Sequence, residues 1–218
     1  MSSEDGHIML VDLLPKSEKK ENTKENDDEQ EEPEYITWIA HDNTRPCVSL
    51  SQSPFFPELI VSVSDHNFNL WDIDKMFKRP IFSSPDTSSH LTDGVWSPVR
   101  PGLLFLSKID GTIDVWDFTD SSYSPNTIIT VTSGCITSLS FESNSRKYDG
   151  DGSRNKYRLA VGDSFGSLHI LEVPEKYSKC LRNERQLVMG FLEREITHHA
   201  DKCKFFHRIC FKGRINPF

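Results

Sequence analysis

Two stretches of the chain alternate apolar and polar residues in the same register and close on the same pair. DHNFNLWDI (65–73) and DGTIDVWDF (110–118) each place an Asp six residues before a Trp, and each Trp is followed by Asp and an apolar residue. Period-two alternation over this length predicts a half-buried β-strand. Ahead of these stretches lie the β-rich runs LIVSVS (59–64) and LLFLS (103–107), and RLAVG (158–162) has the same character. The Asp-Gly of 110–111 suits a tight turn with positive φ between two such strands. Farther upstream, VSLSQSP (48–54), VWSP (95–98) and ITSLSF (136–141) are candidate innermost strands.

The pattern is a repeat. Trp71-Asp72 and Trp116-Asp117 lie 45 residues apart. FGSLHILEV (165–173) is a weaker copy with Leu171-Glu172 as its closing pair, 55 residues beyond Trp116, and the polar insert YDGDGSRNKY (148–157) accounts for the extra length. DGHIMLVDL (5–13) aligns with DGTIDVWDF position by position and closes on Val11-Asp12. Taking the charged insert 16–34 out of its 60-residue spacing leaves about 41 residues, within the roughly 40–45 of a four-stranded propeller repeat. The expected fold is all-β: a partial β-propeller of about three blades plus one strand of a fourth, with a short C-terminal helix. Residues 1–15 are then the trailing strand of a truncated repeat, 16–34 an acidic insert, 35–180 the blades and 181–218 a helical and irregular tail. An arc of this size leaves open edges, so the chain reads as a C-terminal portion of a longer protein, a short isoform or an incomplete gene model.

These residues carry a family resemblance. The chain resembles WD40 proteins and, within them, the intermediate chains of dynein motors. VWSPVRPGLLFLSKIDGTIDVWDF (95–118), with its W-S-P-x-R-P-G entry, looks like the late blades of that family. SPFFPELIVSVSDHNFNLWDI (53–73) is similar to the blade before it, and LAVGDSFGSLHILEVP (159–174) followed by NERQLVMGFLEREI (183–196) is similar to the last blade and its tail. The resemblance covers about residues 35–200, and the tail points to an axonemal inner-arm member. It implies a structural network in which a buried indole N–H finds a partner, since an unpaired buried donor is costly. Trp71 and Trp116 would be the indoles, Asp65 and Asp110 the turn carboxylates, and Ser62 and Ser107, each nine residues before its Trp, the hydroxyls. His41, thirty residues before Trp71, is the matching histidine, while His90 fits its place less well. The repeat-end pairs are Val11 and Asp12, Trp71 and Asp72, Trp116 and Asp117, and Leu171 and Glu172. The last copy lacks the Trp and an obvious His, so its network is expected to be absent.

Composition and charge add a few exclusions. The formal net charge of the 218 residues is −8, which argues against non-specific attraction to nucleic acid or anionic membrane. No run approaches the roughly twenty apolar residues of a membrane helix. The five cysteines (Cys47, Cys135, Cys180, Cys203 and Cys210) are odd in number and mostly scattered, which reads as reduced thiols in a cytosolic compartment. The 16–34 insert holds nine acidic residues and four Lys without Val, Ile, Leu, Phe or Trp. It reads as a solvated surface loop, or else an acidic docking loop for a basic partner. Residues 184–200 favour a helix with Leu187, Phe191 and Leu192 on its apolar side, packed on its own blade or on a partner. The last seventeen residues carry five Lys or Arg and no acid. They read as a frayed terminus, with contact to an acidic surface such as tubulin as the alternative.

Candidate chemistry is thin. His198, His199, Cys203, His207 and Cys210 are metal-ligand types, but they lack the two separated pairs of a zinc site and read as chance clustering. Asp149, Asp151 and Asp163 do not form the ordered ligand series of a calcium loop. Phosphate-cradling G-x-x-x-x-G-K-[ST] and H-E-x-x-H motifs are absent from the sequence. No catalytic residue, cofactor or metal is therefore expected. The resemblance implies a non-catalytic scaffold of a dynein motor complex, in the cytoplasm and cytoskeleton of the cilium or flagellum axoneme. Its expected partners are dynein heavy chains, other intermediate or light chains, and axonemal microtubule proteins. Direct light-chain binding is doubtful, because the family's N-terminal segment is missing. A WD40 adaptor in another assembly is the alternative.

Overall fold

The computed structural model describes residues 2, 6–11, 36–40, 45–75, 79–142 and 157–212, and the side chains within them except those of 36, 37 and 199–212. The inserts at 16–34 and 148–156, Asp12 and His41 lie outside the described residues. Strands β1 (Ile8–Val11) and β2 (Ile36–Ala40) form an antiparallel pair. The next sheet holds β3 (Cys47–Gln52), β4 (Leu59–Ser64), β5 (Phe68–Asp72) and β6 (Phe82–Ser83). A second four-stranded sheet holds β7 (Leu91–Trp96), β8 (Leu103–Lys108), β9 (Thr112–Asp117) and β10 (Thr127–Thr130). The last holds β11 (Ile136–Phe141), β12 (Arg158–Asp163) and β13 (Leu168–Glu172). Two helices follow, α1 (Glu175–Ser178) and α2 (Glu184–Lys212).

Strand order in every sheet follows chain order, and every pairing is antiparallel. Four consecutive antiparallel strands make one propeller blade. The described residues therefore form an open row: a half-blade, two full blades and a three-stranded blade. The first repeat supplies two strands, where its trailing strand alone was expected, because residues 36–40 return along β1. The runs at 59–64 and 136–141 are strands over those same residues. The second inner strand begins earlier than expected, at Leu91.

The turns that lead into β1, β9 and β13 each hold a glycine. Gly6, Gly111 and Gly166 have φ of 79°, 81° and 78°, a backbone region that residues with a Cβ rarely occupy. At Gly111 a Cβ would lie 1.9 Å from the Thr132 carbonyl oxygen, so no other residue fits that turn.

The core lies in the seams between blades. Ile8, Trp38, Ala40 and Trp71 fill the first seam, where the two indoles meet edge to face at 6.0 Å. An apolar cleft of about 210 Å3 lies at this seam, lined by Leu10, Trp38, Leu50, Ile60 and Trp71. The second seam buries Val61, Val63, Phe68 and Leu70 against Leu104, Leu106 and Trp116. The third buries Leu103, Phe105, Ile113 and Val115 against Leu139, Leu159 and Val161. Strand alternation produces this arrangement, since β4, β5, β8 and β9 each send successive side chains to opposite seams.

Candidate functional site

Each blade carries a polar pair near the junction of its second and third strands, and the three pairs differ. In the first full blade, Trp71 Nε1 donates to Ser62 Oγ at 2.8 Å, with Ser62 wholly buried. Ile60 stands opposite Trp71 and Ser62 opposite Asn69, so hydroxyl and indole share one face of the sheet. In the second blade, Trp116 Nε1 is buried and has no acceptor among the described residues. Ser107 was the expected acceptor, yet its hydroxyl lies 2.8 Å from that of Thr92.

The reason is register. The β4–β5 hairpin leaves residues 64–67 unpaired, whereas the β8–β9 hairpin leaves 108–112, one residue more. A slip of one residue turns every side chain to the other face. Leu104 and Leu106 therefore share the face of Trp116, while Ser107 stands opposite Ile113 on the reverse face. The polar pair on the Trp116 face is instead Lys108 and Asp114, both buried, with Nζ and Oδ1 2.8 Å apart in an ion-pair contact without an aligned hydrogen bond. Burial pushes the Asp114 carboxyl above its ordinary pKa, against the pull of Lys108.

The last blade, expected to lack the indole network, was not expected to hold a polar pair of another kind. It has one: His169 Nε2 lies 3.0 Å from Asp163 Oδ2. Asp163 also accepts from Ser167 N at 2.8 Å, Phe165 N at 3.0 Å and Thr132 Oγ1 at 3.2 Å. The histidine and these donors hold its pKa down to about 2. His169 was visible in FGSLHILEV as a polar position in a strand, but only the register places it across from Val161, on the Asp163 side of the sheet.

The other predicted residues have local roles. Asp110 is exposed at its turn, where its carboxylate accepts from Thr112 N at 3.0 Å and Thr112 Oγ1 at 2.6 Å. Slight burial opposes its charge, but those bonds prevail and lower its pKa. Asp65 contributes its carbonyl to Leu91 N at 2.7 Å. His90 packs against His66, ring centroids 4.2 Å apart and planes tilted by 39°. Asp72 caps the following turn through Lys75 N at 3.1 Å. Val11 and Leu171 are half-buried strand residues, and Glu172 is exposed at the end of β13.

Asp117 does most. It accepts from Thr119 N at 3.1 Å and from the Thr119 hydroxyl, and from Arg100 Nη2 at 2.9 Å. Arg100, of the W-S-P-V-R-P-G segment, is almost wholly buried. Its Nε lies 2.9 Å from both carboxylate oxygens of Glu184, and its Nη1 donates to the Lys176 carbonyl at 3.0 Å. Burial works against the guanidinium charge, but Glu184 and Asp117 outweigh it and raise the Arg100 pKa. Ser97 Oγ shapes the turn by accepting from Val99 N and Arg100 N, as Ser53 Oγ does from Phe55 N and Phe56 N one blade earlier.

A second unpredicted centre sits on the inner strands. Asp93 Oδ1 accepts from Ser49 Oγ of β3 at 2.7 Å, and its Oδ2 accepts from Leu139 N of β11 at 2.8 Å. One carboxylate of β7 thus clasps the blades on both sides. Among the described residues no group of three or more His, Cys, Asp or Glu could hold a metal ion. The side chains of His199, Cys203, His207 and Cys210 lie outside the described residues.

Residues 1–173 match the model of the dynein axonemal intermediate chain 3 WD40 domain. The chain belongs to the axonemal dynein intermediate chain family. Among its relatives, the ciliary dynein intermediate chain 3 of Heliocidaris crassispina is 32% identical over 75% of this chain and 25% of its own length. The human dynein axonemal intermediate chain 3 is 30% identical over 72% of this chain and 16% of its own length. The 70 kDa flagellar outer-arm intermediate chain of Chlamydomonas reinhardtii is 26% identical over 82% and 30%. The chain thus spans less than a third of each of these intermediate chains. Within the family's WD40 domain fall all three polar pairs, Asp93 and Arg100, while the match ends just past β13 and leaves α1 and α2 outside it.

Proposed function

We propose that this chain is a non-catalytic scaffold of an axonemal dynein complex, binding dynein heavy chains and supporting microtubule-based movement of cilia or flagella. Family membership over residues 1–173 is the observation that carries this reading. The geometry agrees with it, because the polar centres described are used up in blade construction. Ser62, Lys108, Asp114, Asp163 and Arg100 all spend their hydrogen bonds or charges on neighbours within the fold. A propeller of this kind displays loops and blade edges on a rigid frame, and several modest contacts combine within one large complex. Energy for movement would come from the heavy chain. Other intermediate or light chains and axonemal microtubule proteins are the further partners of this reading, and the cilium or flagellum axoneme its location.

The test is an affinity pull-down of the tagged chain from ciliated cells, read by mass spectrometry. Axonemal dynein heavy chains and companion intermediate chains are the expected recovery. A different assembly recovered without dynein overturns the reading in favour of a WD40 adaptor elsewhere.

A further inference from the structure

At one end of the second seam, Phe55, Phe56, Phe82 and Phe118 form an aromatic socket shared by the two full blades. Helix α2 is seated in it. Val188, Phe191, Leu192 and Ile196 face the socket, with Phe191 stacked on Phe118 at 5.3 Å and edge-on to Phe82 at 5.7 Å. Arg100 closes one end of the socket and receives the Glu184 carboxylate from the first turn of the helix. Gly102 lets the helix come close: a Cβ there would lie 3.1 Å from a Val188 methyl. Everything that forms the socket belongs to the WD40 domain, whereas α2 lies beyond the family match. The helix is joined to the blades through residues 179–183, all exposed, and it is held by side chains, without strand pairing.

We propose that this socket is a helix-docking site and that α2 is its resident, displaceable strap. The partner that fits is an amphipathic helix of another protein. It carries a carboxylate in its first turn for Arg100 and apolar residues four, seven, eight and twelve positions later, as α2 does from Glu184. This is recognition of a helix face by an apolar groove, with a charge contact setting the direction. The inference does not rest on the motor-subunit reading.

The test uses the full chain, with Glu184→Gln to weaken the latch and Ile196→Glu as a milder second variant at the far end of the same face. Hydrogen exchange is read by mass spectrometry. A displaceable strap predicts exchange about tenfold faster across 184–196 in either variant, with β8 and β9 still protected. A labelled peptide of residues 181–198 should then bind both variants by fluorescence anisotropy, about tenfold more tightly than it binds the unmodified chain. The same peptide carrying Phe191→Asp should not bind. Exchange unchanged in 184–196, exchange rising in β8 and β9 along with the helix, or a peptide that binds none of the chains would each overturn the proposal.

Discussion

Trp71 and Trp116 stand 45 residues apart in adjacent blades, and their surroundings differ by one hydrogen bond. The indole of Trp71 has the Ser62 hydroxyl; that of Trp116 faces Leu104 and Leu106 and has no acceptor among the described residues. Replacing each with Phe removes similar apolar volume but a hydrogen bond only at Trp71, leaving Ser62 buried and unpaired. Trp71→Phe should therefore be the more destabilising by about 1–3 kcal/mol. Comparison of urea midpoints for the two variants checks this, and equal losses would mean that the indole bond contributes nothing net. The same scale explains why residue spacing misled at Ser107. Counting nine residues back from a Trp finds the right face only when the intervening turn has the same length.

At the scale of an element, α2 shows how a stripe is chosen by what it meets. The expected apolar side was Leu187, Phe191 and Leu192; the side that packs is Val188, Phe191, Leu192 and Ile196. Leu187 is 53% exposed, one position and about 100° around the helix from Val188. Both stripes satisfy helical spacing, and the aromatic socket selected between them. The helix is also longer than the expected 184–200, running through Lys212. Phe191→Ala should cost about 3–5 kcal/mol as a buried aromatic truncation. Leu187→Ala should stay within about 0.5 kcal/mol. Chemical denaturation of the two variants separates them, and a large loss at Leu187 would place the packed face elsewhere.

For the whole molecule, the question is what holds separate sheets in one frame. Apolar seams supply most of the attachment, and Asp93 adds a directed link across three blades. Its side chain joins strands whose partners are 44 and 46 residues away, a full repeat in each direction. Asp93→Ala should lose about 1–3 kcal/mol, because Ser49 Oγ, Gly94 N and Leu139 N would all lose an acceptor. Hydrogen exchange should rise in β3 and β11 together. A rise confined to β7 would show that the carboxylate serves its own strand alone.

Much of this architecture is legible in the sequence. Period-two alternation, turn glycines and the recurrence of Trp-Asp located the second and third strands of each blade, because those signals are local and repeat. LIVSVS became β4 and LLFLS fell within β8 on that basis. The contacts that needed the tertiary structure are those between residues far apart in sequence. Arg100 meets Glu184 across 84 residues, and Asp93 meets two neighbouring repeats. The sequence by itself determined the blades, since strand, turn and burial follow from nearby residues and their periodicity. Only the packed molecule decided which polar groups face one another, because one residue more in a hairpin reverses the face on which a side chain stands.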